Sequence, residues 1–210
     1  KLAEQSPREL VLSGADISKQ IEDEGGINEL VYLIKSLNFV EITKTSSLKD
    51  ISPKISNLSN LTNLVLHSNQ LTKIPDEIGS LAKLKFLDLS RNLLTELPSS
   101  ISNLNNLQSF NVELNQLEQL CDLSKLSNLL VIKFGYNSLT QFPESLCNSD
   151  ANLTHLSEIH GQNNKITDIP TSISKLVALK ILDLNGNEIN VVPGQLGDCH
   201  KLKDLNLKVC

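Results

Sequence analysis

The strongest candidate for chemistry in this sequence is a set of polar residues that alternate along one short segment. Glu158, His160 and Gln162 are each separated by a single residue, so in a β-strand they all lie on one face. Asp183 is predicted to lie beside His160 on the next strand. Carboxylates and an imidazole could transfer protons or bind a metal ion, but alternating polar residues are more commonly a solvent-exposed strand face. We therefore favour the exposed face.

The rest of the chain lacks the common catalytic and nucleotide-binding motifs. No glycine-rich phosphate loop, Cys-x-x-Cys, His-x-x-x-His or Gly-x-Ser-x-Gly occurs. The cysteines Cys121, Cys147, Cys199 and Cys210 are scattered rather than clustered at the chain ends, which is typical of a reducing compartment. We therefore predict a cytoplasmic protein that is not an enzyme and that binds no cofactor or metal.

The elements that position these residues follow a repeat of about 23 residues. Residues 58–80 carry apolar side chains, one asparagine and one proline at fixed positions, and residues 81–103 repeat this pattern. Further copies begin at Leu104, Leu126 and Leu153, and the last complete copy begins at Leu176. The positions that define the pattern are Leu58, Leu61, Leu64, Leu66, Asn69, Leu71, Ile74, Pro75 and Ile78.

Within each copy, the spacing predicts a strand, a turn and a return segment. The Leu-x-Leu half has the period of a strand with one buried face, and the Ile-Pro-x-x-Ile half cannot continue that strand. Since one repeat cannot bury its own apolar residues, successive repeats must stack with their strands parallel. The pattern resembles the leucine-rich repeat. We expect an α/β solenoid, a horseshoe with a concave parallel β-sheet and short helical, 3₁₀ or extended convex segments.

A recurring asparagine and a recurring proline both have structural explanations. The asparagine follows each strand, where a side chain that donates and accepts hydrogen bonds can satisfy the turn backbone. The proline is expected in the first turn of a short helical return segment. The asparagines are Asn69, Asn92, Asn115, Asn137, Asn164 and Asn187, and the prolines are Pro75, Pro98, Pro143, Pro170 and Pro193. We call the first set the asparagine ladder.

The chain is predicted to contain an N-terminal cap, residues 1–37, and a repeat domain, residues 34–210. In the cap, residues 10–12 indicate a half-repeat strand, and the apolar spacing over residues 27–37 indicates a helix. The first repeat is predicted to have one extra residue and to place Ser46 at the ladder position.

Two repeats depart from the regular length. Residues 104–125 form a short repeat with Cys121 where the others have proline, so its return segment should be tighter. Residues 126–152 form a long repeat whose extra chain is the polar stretch 148–152, and insertions of this kind map to loops.

Composition and charge exclude several classes of partner. The net charge is −5, and acidic and basic residues are interleaved, so we predict no direct nucleic-acid binding. No apolar run approaches about 18 residues, so we predict no membrane span. The chain begins at Lys1, and its last repeat opens at Cys199 and is truncated at Cys210 without a polar cap. We expect a segment of a longer, multidomain protein, and the oligomeric state stays open.

The concave face is the predicted functional surface, because residues that flank the buried Leu-x-Leu pair must point outward. Aromatic residues are only 3% of the chain, yet Phe39, Phe86 and Tyr136 fall on or near this face. Exposed apolar groups with polar neighbours mark interaction surfaces, so we predict a scaffold that binds a protein partner. The alternative is that these rings merely cover the sheet. The predicted binding residues are Phe39, Val65, Phe86, Asp88, Glu113, Val131, Lys133, His160, Ile181 and Asp183.

Three segments carry a more specific resemblance. Residues 8–14, residues 156–159 with Gly161 in an apolar position, and residues 199–203 resemble the N-terminal half of the leucine-rich repeat-containing protein 47 family. The resemblance implies that the array precedes a charged linker and a B3/B4 domain like that of the phenylalanyl-tRNA synthetase beta subunit. It therefore implies an alternative function, an RNA- or translation-associated adaptor that acts through the domain absent from this chain.

Overall fold

A computed structural model describes residues 7–208 of the chain, and the described residues form one curved stack of repeats. Nine parallel strands form a single sheet in chain order, as the sequence predicts. The strands are β1 Glu9–Ser13, β2 Phe39–Thr43, β3 Asn63–Val65, β4 Phe86–Asp88, β5 Ser109–Asn111, β6 Val131–Lys133, β7 Glu158–His160, β8 Ile181–Asp183 and β9 Asp204–Asn206. The predicted leucine-rich repeat solenoid is therefore confirmed.

The opposite side of the stack consists mainly of short 3₁₀ helices. They span Glu29–Leu33, Pro53–Asn57, Asp76–Ser80, Ser99–Asn103, Glu144–Leu146, Thr171–Lys175 and Gly194–Asp198. The recurring proline is the N-cap residue of five of these helices. The sequence analysis placed it in the first turn, so its actual position is one residue earlier than predicted. Its fixed φ, between −65° and −73°, suits an extended residue that leads into the helix.

The core lies between the sheet and the return segments. In β4, for example, Leu87 points inward and is fully buried, whereas Phe86 and Asp88 point to the other face. The buried leucines and isoleucines form one continuous cluster along the described chain, because each repeat covers the apolar side of the next. The outward residues have no part in this stacking.

The asparagine ladder has the structural role that the sequence predicts. Asn92 shows the arrangement: its Nδ2 donates to the carbonyl oxygens of Leu66 and Leu89, both at 2.9 Å, and its Oδ1 accepts from the Leu71 amide at 3.1 Å. Each ladder side chain therefore joins its own turn to the turn of the preceding repeat. These bonds satisfy backbone groups that stacking has removed from water.

The first repeat corrects the predicted ladder position, which is Thr45 and not Ser46. The residue before each ladder position has a positive φ, and in this repeat that residue is Lys44 at 56°. Thr45 is fully buried, and both its amide and its hydroxyl donate to Asn69 Oδ1. The Ser46 amide instead donates to Ser18 Oγ at 2.9 Å. The prediction failed because it assumed an extra residue before the ladder position.

The N-terminal region contains the predicted strand but a different helix. The strand at residues 10–12 is part of β1, which pairs in parallel with β2. The acidic segment Ala15–Glu24 forms α1, an α-helix that the sequence analysis did not predict, and Gly25 ends it at a φ of 71°. The helix predicted over residues 27–37 is wrong in length: only Glu29–Leu33 is helical, and it is 3₁₀. This segment leads into β2 as a return segment, so it takes the short form of the others.

The two irregular repeats also differ from the others in the structure, and the loop predicted for the long repeat is confirmed. The repeat 104–125 has no 3₁₀ helix in its return segment, although both neighbouring repeats have one. In the long repeat, the extra residues form a loop that Asn148 closes, because its Oδ1 accepts from the amides of Asp150 and Ala151. The division into a cap of residues 1–37 and a repeat domain of residues 34–210 stays a prediction.

Candidate functional site

The outward side chains of the strands form ordered columns across the sheet. The strand register aligns the first outward residue of every strand from β2 to β9, and likewise the second. The first column is Phe39, Asn63, Phe86, Ser109, Val131, Glu158, Ile181 and Asp204. The second column is Glu41, Val65, Asp88, Asn111, Lys133, His160, Asp183 and Asn206.

The structure brings the predicted binding residues together on this one face. Phe39, Phe86, Val131 and Ile181 lie in the first column, and Val65, Asp88, Lys133, His160 and Asp183 lie in the second. Glu113 lies just beyond β5. Phe86 is the most open of the apolar ones, with 46% of its surface exposed, and the others are partly buried. Whether they bind a partner is a separate question, because the placement alone does not test it.

One hydrogen bond orders the edge of this face over two repeats. Gln162 Nε2 donates to Glu113 Oε1 at 2.9 Å, and the chain between them carries Gly135. A Cβ atom on Gly135 would lie 2.6 Å from Gln162 Cδ, so only glycine leaves room for the glutamine to cross. The sequence analysis missed this contact, because the contact depends on the lack of a side chain at Gly135.

The carboxylates of the second column are held by their own turns. Asp88 Oδ1 accepts from the amide and the hydroxyl of Ser90, at 2.9 and 2.7 Å. Asp183 Oδ1 accepts in the same way from the amide and the Nδ2 of Asn185, at 3.1 and 2.6 Å. These bonds fix the direction of each carboxylate, and Asp88 Oδ2 also accepts from Asn111 Nδ2 at 3.4 Å.

The candidate acid–base cluster is only a pair in the structure. His160 Nε2 lies 3.3 Å from Glu158 Oε2, while Asp183 bonds to its own turn instead. Among residues 7–208, no group of three or more histidine, cysteine, aspartate or glutamate side chains is placed to hold a metal ion. The arrangement suits hydrogen bonding and charge recognition at a polar surface.

Of the described cysteines, Cys147 and Cys199 are buried and Cys121 is half-buried, and all three are protonated at neutral pH. Burial raises the pKa of the Cys121 thiol to about 12, and it also raises the pKa of Cys147 and of Cys199. A thiol attacks only as its thiolate, so these groups are poor nucleophiles. Cys210, which the sequence places at a ladder position, lies outside the described residues.

One cavity lies away from the strand face, beside the irregular repeat of residues 104–125. It has a volume of about 680 Å³ and is lined by Glu96, Glu118, Cys121 and Lys165, among others. It opens where the return segment of residues 104–125 lacks its 3₁₀ helix. The sequence indicated a tighter segment there and did not indicate a cavity.

Proteins of known sequence share the repeats of this chain. It is 34% identical over 89 residues to the probable serine/threonine-protein kinase pats1 of Dictyostelium discoideum, and 36% identical over 76 residues to human leucine-rich repeat-containing protein 2. These matches cover 41% and 36% of this chain, but only 3% and 19% of those proteins. The chain is therefore similar to a small part of each relative.

Solved structures show the same architecture. An internalin (inlF) from Listeria monocytogenes superposes with a TM-score of 0.74 at 27% identity, over 85% of this chain and 50% of that one. The ectodomain of the receptor kinase GASSHO1/SCHENGEN3 from Arabidopsis thaliana, in complex with CASPARIAN STRIP INTEGRITY FACTOR 2, gives 0.75 at 29% identity, over 97% and 24%. The plant peptide hormone receptor RGFR1, in complex with RGF2, gives 0.62 at 25%, over 85% and 33%.

A sequence profile described as "Leucine rich repeat" matches residues 41–117 and 154–210. Within residues 7–208, no helix has the length and apolar character to cross a membrane. The profile leaves out residues 1–40 and 118–153, and the strands β1 and β6, which lie in these two stretches, belong to the same sheet as the others. The chain therefore belongs to the leucine-rich repeat family.

Proposed function

We propose that this chain is a non-enzymatic scaffold whose concave face binds a protein partner. The observation that carries the proposal is the first column, which presents Phe39, Phe86, Val131 and Ile181 outward from the sheet. The core of the stack lies on the other face of these strands, where the inward residues are buried, so the core does not require apolar residues at these positions. Apolar groups among polar neighbours are typical of an interaction surface.

The rigidity of the scaffold supports this function. The ladder asparagines hold each turn to the one before it, and every pair of neighbouring strands is in register. A partner that meets such a preformed surface loses less conformational entropy on binding than one that must order its target. Two of the similar structures are receptors in complex with another molecule, CASPARIAN STRIP INTEGRITY FACTOR 2 in one and RGF2 in the other, which agrees with a surface of this kind.

The test compares the wild type with Phe86→Ala/Val131→Ala, called the concave variant. Each protein is cross-linked in lysate, and the captured partner proteins are identified and compared. The matched control is Val177→Ala/Val192→Ala, because these valines are 56% and 51% exposed but lie outside the strands. We expect the concave variant alone to lose partners. Equal recovery by the wild type and the concave variant would remove the concave face as the binding site.

A second candidate follows from the resemblance to the leucine-rich repeat-containing protein 47 family. On this reading, the chain is the N-terminal part of a translation-associated adaptor that contacts RNA through a further domain. The segments 8–14, 156–159 and 199–203 support it. With a net charge of −5, the chain alone should give no salt-dependent shift of tRNA in a gel, and a clear shift would favour direct RNA binding.

We also propose a cytoplasmic location. The supporting observation is that Cys121, Cys147 and Cys199 are free thiols. Secreted repeat proteins commonly close their ends with disulfides, which an oxidising compartment would maintain. Cell fractionation, or imaging of fixed cells, with the natural full-length protein tests this proposal.

A further inference from the structure

The first column alternates between apolar and polar residues from strand to strand. The strands β2, β4, β6 and β8 carry Phe39, Phe86, Val131 and Ile181, in that order. The strands between them, β3, β5, β7 and β9, carry Asn63, Ser109, Glu158 and Asp204. The first column therefore has an apolar side chain on every second strand.

The second column alternates on the same strands. Each apolar residue of the first column is accompanied, two residues later, by a charged one, namely Glu41, Asp88, Lys133 and Asp183. None of these charged groups forms an ion pair with another residue in the part of the chain that the structure describes. Unpaired charges beside apolar groups mark positions where a partner could supply the opposite charge.

The spacing of these paired positions selects the conformation of an occupant. Neighbouring strands lie ~4.8 Å apart, so every second strand gives an apolar position each ~9.6 Å. An extended β-strand repeats its side-chain direction each ~6.7 Å, and an α-helix returns to the same face after seven residues and ~10.5 Å. A polyproline II segment returns to the same face after three residues and ~9.3 Å. The row from Phe39 to Ile181 contains three of these ~9.6 Å intervals, about 28.8 Å in total. Three polyproline II repeats differ from this length by ~0.9 Å, and three seven-residue repeats of an α-helix differ from it by ~2.7 Å.

We infer that the occupant of the concave face is a polyproline II segment of a protein partner, with an apolar residue at every third position. Alongside these residues it carries charges in the order basic, basic, acidic, basic, counted from β2 to β8, which complement Glu41, Asp88, Lys133 and Asp183. This inference rests on the proposed function, since it requires that the concave face bind protein. A polyproline II segment is already extended when free, so it loses little conformational entropy on docking.

The test uses fluorescent twelve-residue peptides and anisotropy at a fixed salt concentration, with each peptide made in both chain directions. The matching peptide is Leu-Lys-Pro-Leu-Lys-Pro-Leu-Glu-Pro-Leu-Lys-Pro. One control has the same composition, but leucine alternates with the charged residues over the first eight positions and the four prolines come last. The other keeps the three-residue period and exchanges lysine and glutamate. We expect the matching peptide to bind at least about tenfold more tightly than either control.

Variants of the chain test the placement. Phe86→Ala/Ile181→Ala should weaken the matching peptide by about tenfold or more, whereas Asn63→Ala/Ser109→Ala, on the intervening strands, should leave it unchanged. Lys133→Glu should reverse the preference at the third charged position, so that a peptide with lysine there binds better than one with glutamate. Each variant is first compared with the wild type by circular dichroism and thermal unfolding, because outward substitutions should not alter the fold.

The outcomes separate the two proposals. Equal binding of the matching and control peptides, no binding at all, or no reversal by Lys133→Glu would overturn the inference about the occupant. If partner capture from lysate still depends on Phe86 and Val131 in that case, the concave face binds protein of another shape. If capture does not depend on them, the proposed function itself is wrong.

Discussion

Replacing a ladder asparagine should be among the most damaging single changes in this chain. Asn92 is 5% exposed and lies in the regular part of the array. Its Oδ1 is the hydrogen-bond acceptor found for the Leu71 amide, so Asn92→Ala leaves that buried amide unpaired. The carbonyl oxygens of Leu66 and Leu89 each keep a second donor, from Asn69 and Asn115 respectively.

The magnitude follows from these bonds. One orphaned buried amide costs ~1–3 kcal/mol, and each of the two lost 2.9 Å bonds to carbonyls that keep another donor adds ~0.5–1 kcal/mol. We therefore expect Asn92→Ala to lower the free energy of unfolding by about 2–5 kcal/mol. With a urea dependence of ~2–3 kcal/mol per molar, the unfolding midpoint should fall by roughly 1–2 M.

The matched control is the exposed Asn106, whose Nδ2 donates to the Ala82 carbonyl oxygen at 2.7 Å. Asn106→Ala removes the same side-chain atoms but leaves no buried group unpaired, so it should cost about 0.5 kcal/mol or less. For both variants, the free energy of unfolding is measured in urea, with circular dichroism as the signal. Because repeat arrays can unfold in stages, the transition slopes must agree before the midpoints are compared. Equal losses for Asn92→Ala and Asn106→Ala would refute the structural role of the ladder.

Three further predictions concern packing, the corrected ladder position and ionisation. Gly161→Ala should cost ~1–3 kcal/mol in urea unfolding, because the added methyl overlaps the Phe134 ring, and Phe134→Leu should recover part of the loss in the double variant. Thr45→Val should destabilise by about 1–2 kcal/mol because it removes the hydroxyl bond to the ladder, whereas Ser46→Ala should be nearly neutral. The raised pKa of Cys121 favours the protonated thiol in the folded state, so its contribution is complete below the unfolded pKa of ~8.5 and is lost as pH rises towards about 12. Unfolding midpoints measured between pH 7 and pH 11, values that begin below the unfolded pKa and cover most of that window, should fall less in Cys121→Ala than in the wild type; parallel curves would contradict this.

The fold could be predicted from the sequence because two independent periods, one of two residues and one of about 23 residues, indicate the same arrangement of strands. The two-residue period of Leu64 and Leu66 determines which side of a strand is buried, and the spacing of about 23 residues determines which strands are neighbours. Together they are sufficient to align both outward columns. The α-helix α1 escaped prediction because its only apolar signal, Ile17 and Ile21 four residues apart, is short and lies among acidic side chains.

Contacts that depend on individual side-chain size could not be predicted in this way. The bond from Gln162 to Glu113 exists because Gly135 has no side chain to block it, and no periodicity encodes that absence. The Phe134 ring likewise fills the space that Gly161 leaves in the next repeat. In both cases one repeat compensates for its neighbour, so the relevant signal is a pair of residues in different repeats.

The alternation on the concave face is of a different kind, because stacking gives no reason for it. Every repeat contributes one strand, so a requirement of the fold would recur from each repeat to the next, as the buried inward residues do from β2 to β8 and the ladder asparagines do from Asn69 to Asn187. The pairs Phe39 with Glu41, Phe86 with Asp88, Val131 with Lys133 and Ile181 with Asp183 recur on every second strand instead. A period of two repeats on a surface that does not contribute to the core is best explained by the spacing of a ligand.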